Sequence, residues 1–413
     1  MTTFDILSRP LTLKNGSVIK NRVAKSAMSE ALGNTRHQPT VNLETLYRRW
    51  ALGGTGLLIT GNVMIDRRAL GEPGNVVVEN EENLELLTKW AEAGKVTGAS
   101  IWMQINHPGK QCPDGLNVET VAPSAIPFEP SLQRFFATPR ELTDGEIVDI
   151  IARFGRSAEI AKRAGFSGVQ IHGAHGYLVS QFLSPRHNQR SDKWGGTPEK
   201  RRAFLLAVVA EIRDRVGPRF PIGIKLNSAD FQKGGFSEEE SLQTLVALEA
   251  AGIDLIEISG GTYERPVMTG TMKIRESTKA REAYFLTFAE QARATVKVPL
   301  ILTGGFRTPQ AMADAIHSGA IDMVGLARPL VIEPELPQRL LKGLPPTREV
   351  TPKSTGFKYL DKFGFLEISW YTRQIHRVSS NNEPLPDESP LYALFVTVFK
   401  MNWRTLWLRR LRA

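Results

Sequence analysis

Cysteine is nearly absent from this chain: Cys112 is the only one among 413 residues. A single thiol closes no intramolecular disulfide, and it falls short of the several thiolates that an iron–sulfur cluster or a zinc ribbon needs. No metal centre is expected, and a reducing, cytoplasmic setting is favoured. Long uncharged apolar runs are missing too. None reaches the length of a membrane span, and Met1 to Pro10 hold no stretch suited to a signal peptide, so neither feature is expected. Lys and Arg number 52 against 43 Asp and Glu, a net charge of +9. That excess suits anionic cofactors or surfaces, but it is spread along the chain, so nucleic acid is not an expected partner. What is present is 41% hydrophobic residues, enough for one large core and a tail.

From about Asn21 to about Pro334, short apolar runs alternate with longer helical patterns, the ordering that predicts parallel strands joined by crossover helices. The runs are Arg22–Met28, Gly56–Thr60, Ala99–Ile105, Gly168–His172, Pro221–Leu226, Asp254–Ser259, Pro299–Thr303 and Ile321–Leu326. Eight of them is the number of a (β/α)8 TIM barrel, an α/β fold. Three are entered through a glycine, at Gly165, Gly252 and Gly319, which supplies the left-handed cap that ends a helix. Ser237 and Glu240 are spaced for a capping box. Ahead of the barrel, Leu11–Ile19 reads as a β-hairpin around Asn15-Gly16 that plugs the lower end. The stretch Asn106–Pro139 holds six prolines and no clear period. A loop that long after strand three is expected to shape the pocket.

The richest chemistry lies in Val169-Gln170-Ile171-His172-Gly173-Ala174-His175-Gly176-Tyr177, where two imidazoles and a phenol follow an apolar strand. Positions three apart on a strand point to opposite faces. Gly173 and Gly176 are therefore expected to curl the chain so that both rings face one pocket. A satisfied polar core is the plainer reading of the histidines, and a packed aromatic that of Tyr177. In a TIM barrel the last two strand loops commonly bind a phosphate. Here these are Thr303-Gly304-Gly305-Phe306-Arg307 and Gly325-Leu326-Ala327-Arg328-Pro329, with glycine amides and an arginine fork suited to a dianion. Taken alone, Gly304-Gly305 would only turn the chain; the matched pair of loops favours the phosphate.

Together these stretches resemble the old yellow enzyme family of flavin-dependent ene-reductases over about residues 5 to 340. The resemblance is carried by His172-Gly173-Ala174-His175-Gly176-Tyr177-Leu178, then Gln181-Phe182-Leu183-Ser184-Pro185, Asn188, Arg190, Asp192 and Trp194-Gly195-Gly196. Lys20-Asn21-Arg22-Val23, Gln104, His107-Pro108-Gly109-Lys110 and the two phosphate loops support it. It implies FMN over the carboxyl face of the barrel. Gln104 would hydrogen-bond the flavin pyrimidine, Ser29 would lie near the flavin carbonyl, and Gly61 would line the ring with backbone. Gly304, Gly305, Ala327 and Arg328 would hold the phosphate. His172 and His175 would donate hydrogen bonds to a substrate carbonyl oxygen, and Tyr177 would deliver a proton. NADH or NADPH would supply the hydride, in ping-pong fashion, and an enone or related electrophilic alkene would be the small-molecule substrate.

This chain also departs from the family pattern. Lys225 ends strand five where the family usually has arginine beneath the flavin; the positive charge survives, but the rigid fork does not. Ala27 and Ser29 replace the proline and the threonine or cysteine of many relatives, which excludes a redox-sensing thiol there. Asn106 and Ala31 stand where others carry large aromatics, which implies a roomier pocket. With only one cysteine present, the iron–sulfur and second nucleotide-binding half of the longer family members is not expected, and electrons are expected directly from a transiently bound dihydronicotinamide.

The chain is expected to divide into an FMN-binding barrel, residues 1–345, and a C-terminal helical extension, residues 346–413. Val378–Pro390 reads as a polar linker. Beyond it, Tyr392, Phe395, Phe399, Trp403 and Trp407 fall at helical spacing among Lys400, Arg404, Arg409, Arg410 and Arg412, with no acid. This is a basic amphipathic helix over residues 391–413, expected to dock on the barrel or a twin subunit, with peripheral membrane contact as the alternative. Two other functions stay open. A flavin-independent Schiff-base lyase could use Lys225, and a membrane-associated binding protein could carry a degenerate barrel.

Overall fold

The computed structural model describes residues 5–262, 264, 285–356 and 365–412. Each of the eight apolar runs forms a strand. They are β1 (Val23–Lys25), β2 (Leu57–Ile59), β3 (Ser100–Asn106), β4 (Gly168–Gly173), β5 (Ile222–Asn227), β6 (Leu255–Ser259), β7 (Leu300–Thr303) and β8 (Met323–Leu326). All neighbours pair in parallel, β8 returns to β1 through Val324↔Val23, and β3 meets β4 through Gly168↔Trp102. The sheet therefore closes into the (β/α)8 barrel that the run count predicts. Its outer helices are α1 (Val41–Leu52), α2 (Leu84–Lys95), α3 (Asp144–Arg163), α4 (Pro198–Val216), α5 (Glu238–Ala250), α6 (Leu286–Thr295) and α7 (Pro309–His317). Ser237 and Glu240 form the expected capping box on α5, and Gly165, Gly252 and Gly319 take the left-handed conformation ahead of their strands.

Strand residues that point inward meet the hairpin. Leu11–Thr12 pairs antiparallel with Val18–Ile19, and its Leu11, Leu13 and Ile19 pack with Ala24, Leu57, Ile59, Trp102, Leu255, Ile301 and Met323 in one apolar plug. Trp102 fills the barrel axis because its neighbours make room. A Cβ on Gly168 or Gly223 would lie 2.7 Å from the indole. Residues facing outward pack instead with the helices in the larger core.

Two features went unforeseen. In the loop after β2, the two-residue strand Val63–Met64 pairs with the end of β3, Val63 opposite Ile105 and Met64 opposite Asn106. This pairing brings Asn62 beside Asn106. The second is α8 (Phe365–Val378), a helix where no element was expected; α9 (Pro390–Arg412) follows it after the linker. Trp370 and Gln374 of α8 are fully buried, and Trp370 Nε1 donates to Glu388 O at 2.9 Å. His376 Nε2 of α8 lies 2.8 Å from Glu30 O and Arg404 of α9 donates to Ala31 O at 2.8 Å, so the extension packs on the barrel.

Candidate active site

His172 lies near the end of β4, buried and in register with Lys225 of β5. The chain then turns at His175 (φ 62°) and Gly176 (φ 77°). Gly173 does not share in that turn, contrary to expectation. It is the last residue of β4, and a Cβ there would lie 2.9 Å from Ile224 Cδ1 and 3.0 Å from the Lys225 carbonyl. Close strand packing demands glycine at 173, while His175 itself carries the left-handed strain.

The turn does what was expected of it. The rings of His172 and His175 meet edge to face with centroids 5.1 Å apart, and that of Tyr177 is 4.7 Å from His172. Burial, and the charge of Lys225 among its neighbours, pushes both imidazoles toward the neutral form, His172 well below its ordinary value and His175 down to about 3. His172 Nδ1 accepts from Ala174 N at 3.3 Å, an arrangement that assigns the ring proton to Nε2. His175 Nε2 lies 2.8 Å from Ser259 Oγ. Asn62 Nδ2 donates to the Tyr177 hydroxyl oxygen at 3.3 Å, which orients the phenol.

Behind these groups runs a buried polar chain. Gln104 Nε2 donates to Gln170 Oε1 at 2.7 Å, and Gln170 Nε2 donates to Glu257 Oε2 at 2.8 Å. Glu257 Oε1 accepts from Thr303 Oγ1 at 2.7 Å and sits 3.0 Å from Lys225 Nζ. Burial raises the affinity of Glu257 for a proton, yet Lys225, Thr303 and Gln170 overcome it and hold the carboxyl below its ordinary range. Lys225 is therefore not a lone cation under the pocket but half of an ion pair.

Ser29 hydrogen-bonds Glu72, whose carboxyl is pushed up to about 7 by burial and by the charge of Glu30. The Gly61 amide donates to Glu30 Oε1 at 2.8 Å, and Glu30 also accepts from Tyr47 and pairs with Lys25 at 3.6 Å. Lys25 is wholly buried, and desolvation brings it down to about 8 against the pull of Glu30. At the other end of the site, Gly304 and Gly305 adopt φ of 121° and 92°, and Arg328 faces Glu367 at 3.5 Å with its guanidinium 5.9 Å from the Tyr371 ring. Ala327 immediately precedes the short helix Arg328–Ile332. The single thiol, Cys112, is buried and pushed up to about 12, so it is not a reactive group.

Part of the motif that carries the resemblance is structural. Gln181 binds the loop after β3 to the loop after β4, accepting from Lys110 N at 3.2 Å and donating to Gly176 O at 2.7 Å. Arg190 Nη1 donates to Pro123 O and Leu142 O at 2.9 and 2.7 Å, and Trp194 Nε1 donates to Asp144 at 2.5 Å. These bonds clamp the proline-rich loop to α3.

With that geometry in hand, residues 7–347 match the NADH:flavin oxidoreductase / NADH oxidase family. The chain belongs to this family. It is 38% identical over 357 residues to the NADH-dependent flavin oxidoreductase iliE of Hypocrea jecorina (strain QM6a), covering 81% of this chain and 88% of that protein. It spans about half the length of some other curated relatives. Among solved structures it is similar to a morphinone reductase variant in complex with tetrahydroNAD, with 25% identity, a TM-score of 0.68, and 82% of this chain and 90% of that one covered. The old yellow enzyme homologue from Zymomonas mobilis shares the fold at 23% identity and a TM-score of 0.70, over 83% of this chain and 94% of that one. The protein is thus an NAD(P)H-dependent flavin oxidoreductase. This membership overturns the lyase and the degenerate-barrel readings, and the pairing of Lys225 with Glu257 gives the first no free amine.

FMN is the cofactor that membership implies, and the residues present fit it. The Asn106 Oδ1 and both polar amide atoms of Gln111 are buried with no hydrogen-bond partner among the described residues, and Gln111 Oε1 lies 3.2 Å from where a Gly176 Cβ would stand. Buried groups of this kind call for a bound polar partner. Sequence reasoning missed Asn62, Gln170, Ser259, Glu72 and Glu257. For Gln170 and Glu257 a signal existed: each is a polar residue in the middle of an apolar strand run.

Proposed function

We propose that this chain reduces the activated C=C bond of α,β-unsaturated carbonyl compounds, with NADH or NADPH as electron source. The carrying observation is the convergence of His172, His175 and Tyr177 at the mouth of the barrel. FMN, when bound, would supply the hydride chemistry that links a dihydronicotinamide to the β-carbon of the alkene. The protein residues do the rest. Neutral His172 and His175 offer N–H donors to the carbonyl oxygen, where negative charge builds as the hydride arrives. Tyr177 gives its proton to the α-carbon, with Asn62 holding the phenol in place. In this reading Gln104, Ser29, Gly61 and Lys225 border the flavin ring, and Gly304, Gly305, Ala327 and Arg328 take its phosphate. A cytosolic setting belongs to the same reading.

Stopped-flow measurement of the two half-reactions tests it. Tyr177→Phe is expected to slow cyclohexenone reduction by about 100-fold, the scale of general acid catalysis. Flavin reduction by NADH or NADPH is expected to change less than about twofold, since no proton from Tyr177 enters it. Equal losses in both half-reactions would overturn the role of Tyr177.

A further inference from the structure

The C-terminal helix docks with the wrong face for its aromatic stripe to be core. Ala393 of α9 is fully buried, the Thr397 hydroxyl donates to Ser369 O of α8 at 3.1 Å, and Arg404 Nη1 donates to Ala31 O at 2.8 Å. Tyr392, Phe395, Val398, Phe399, Trp403 and Leu406 point away from the protein, with Phe395 69% and Trp403 64% exposed. At 100° per residue these six fall within one arc of the helix, and Phe395 and Phe399 stack on each other there. The helix docks on the protein, as expected, but its aromatic stripe does not make the contact. Small and polar side chains make that contact. The side chains of Trp407, Arg409, Arg410 and Arg412 lie outside the described ones.

A contiguous outward stripe of this size marks a surface that is covered in use. Besides Arg404, which faces the protein, the segment Pro390–Arg412 carries Lys400, Arg409, Arg410 and Arg412 and no Asp or Glu. Two copies placed face to face would oppose like charges, which disfavours self-association through this helix. Aromatic side chains with basic neighbours suit the headgroup layer of an anionic bilayer. Among the described residues no helix is long and apolar enough to cross a membrane, so the helix would lie on the surface.

We propose that α9 is a peripheral docking face for an anionic lipid surface. Its far side is tied through Arg404 to the loop that carries Ser29 and Glu30, so docking places one wall of the pocket next to the interface.

Flotation of the FMN-loaded full chain with lipid vesicles tests this. With phosphatidylcholine containing about 30 mol% phosphatidylserine, a strongly anionic surface, the protein is expected to float. With phosphatidylcholine alone, binding should fall tenfold or more. The double variant Phe395→Ser, Trp403→Ser should lose flotation while keeping its flavin absorbance and melting temperature, because neither side chain supports the fold. Protein that stays at the bottom of the gradient, equal binding to both vesicles, or a variant that floats like the parent would each overturn the proposal. So would light scattering that shows a dimer which the double variant dissolves, for then a second copy covers the stripe. Enone reduction in free solution is independent of all these outcomes, so failure here leaves the proposed function intact.

Discussion

Replacing Glu257 by glutamine keeps the shape of the side chain and removes its charge. Lys225 Nζ, 3.0 Å away and 3% exposed, is then left with no counter-ion in direct contact. Water cannot replace the lost carboxylate, because Glu257 is wholly buried and its oxygens are engaged by Thr303 and Gln170 as well as by Lys225. Removing one partner of such a buried pair costs about 3–5 kcal/mol. Removing both charges in Glu257→Gln, Lys225→Met should recover at least half of that, since the double variant buries no unpaired charge. Urea unfolding of the FMN-free protein reads both numbers. A Glu257→Gln variant that loses less than about 1 kcal/mol, or a double variant less stable than the single one, would refute the pairing argument. The same pair has a pH signature. The carboxyl is held below its ordinary value of 4.5 in the folded chain, so the pair stabilises fully above that value. The contribution is lost as pH falls through the lower folded value.

Glu72 should behave in the opposite way. Its carboxyl rises from 4.5 to about 7 in the fold, so its contribution is complete below pH 4.5 and is lost as pH rises through 7. Glu72→Gln is therefore expected to gain stability on the parent between those values, read by urea unfolding at either end, and a constant difference would exclude the shift. Gly223→Ala places a methyl 2.7 Å from the Trp102 ring and should cost about 1–3 kcal/mol, the range for overpacking a filled core. Trp102→Leu should relieve that cost in the double variant, as double-mutant cycle analysis would show.

Periodicity and punctuation were enough for the barrel. Eight apolar runs, glycine caps at Gly165, Gly252 and Gly319 and the Ser237–Glu240 box are local signals, and local signals survive the loss of tertiary context. The hairpin plug was legible for the same reason, because Asn15-Gly16 dictates a tight turn. The extension was read only in part. Its linker and its last helix showed in composition and spacing, but α8 did not, since its seat on the barrel rests on contacts such as that of His376 with Glu30 O, 346 positions away.

Much of the site was legible as well, because His172, His175 and Tyr177 lie within six residues on one strand end. The local turn at His175 and Gly176 brings them together. What the sequence could not reveal was how charges from different strands meet. Glu257 and Lys225 are 32 positions apart, Ser29 and Glu72 are 43 apart, and Asn62 reaches Tyr177 across 115 positions. Barrel closure puts them in contact by register, and register is a property of the whole sheet. The sequence by itself thus determined the fold, the family and the placing of two histidines and a tyrosine at one strand end. The tertiary structure decided that the lysine is paired, that a carboxyl stands beside Ser29, and that the aromatic face of the last helix turns outward.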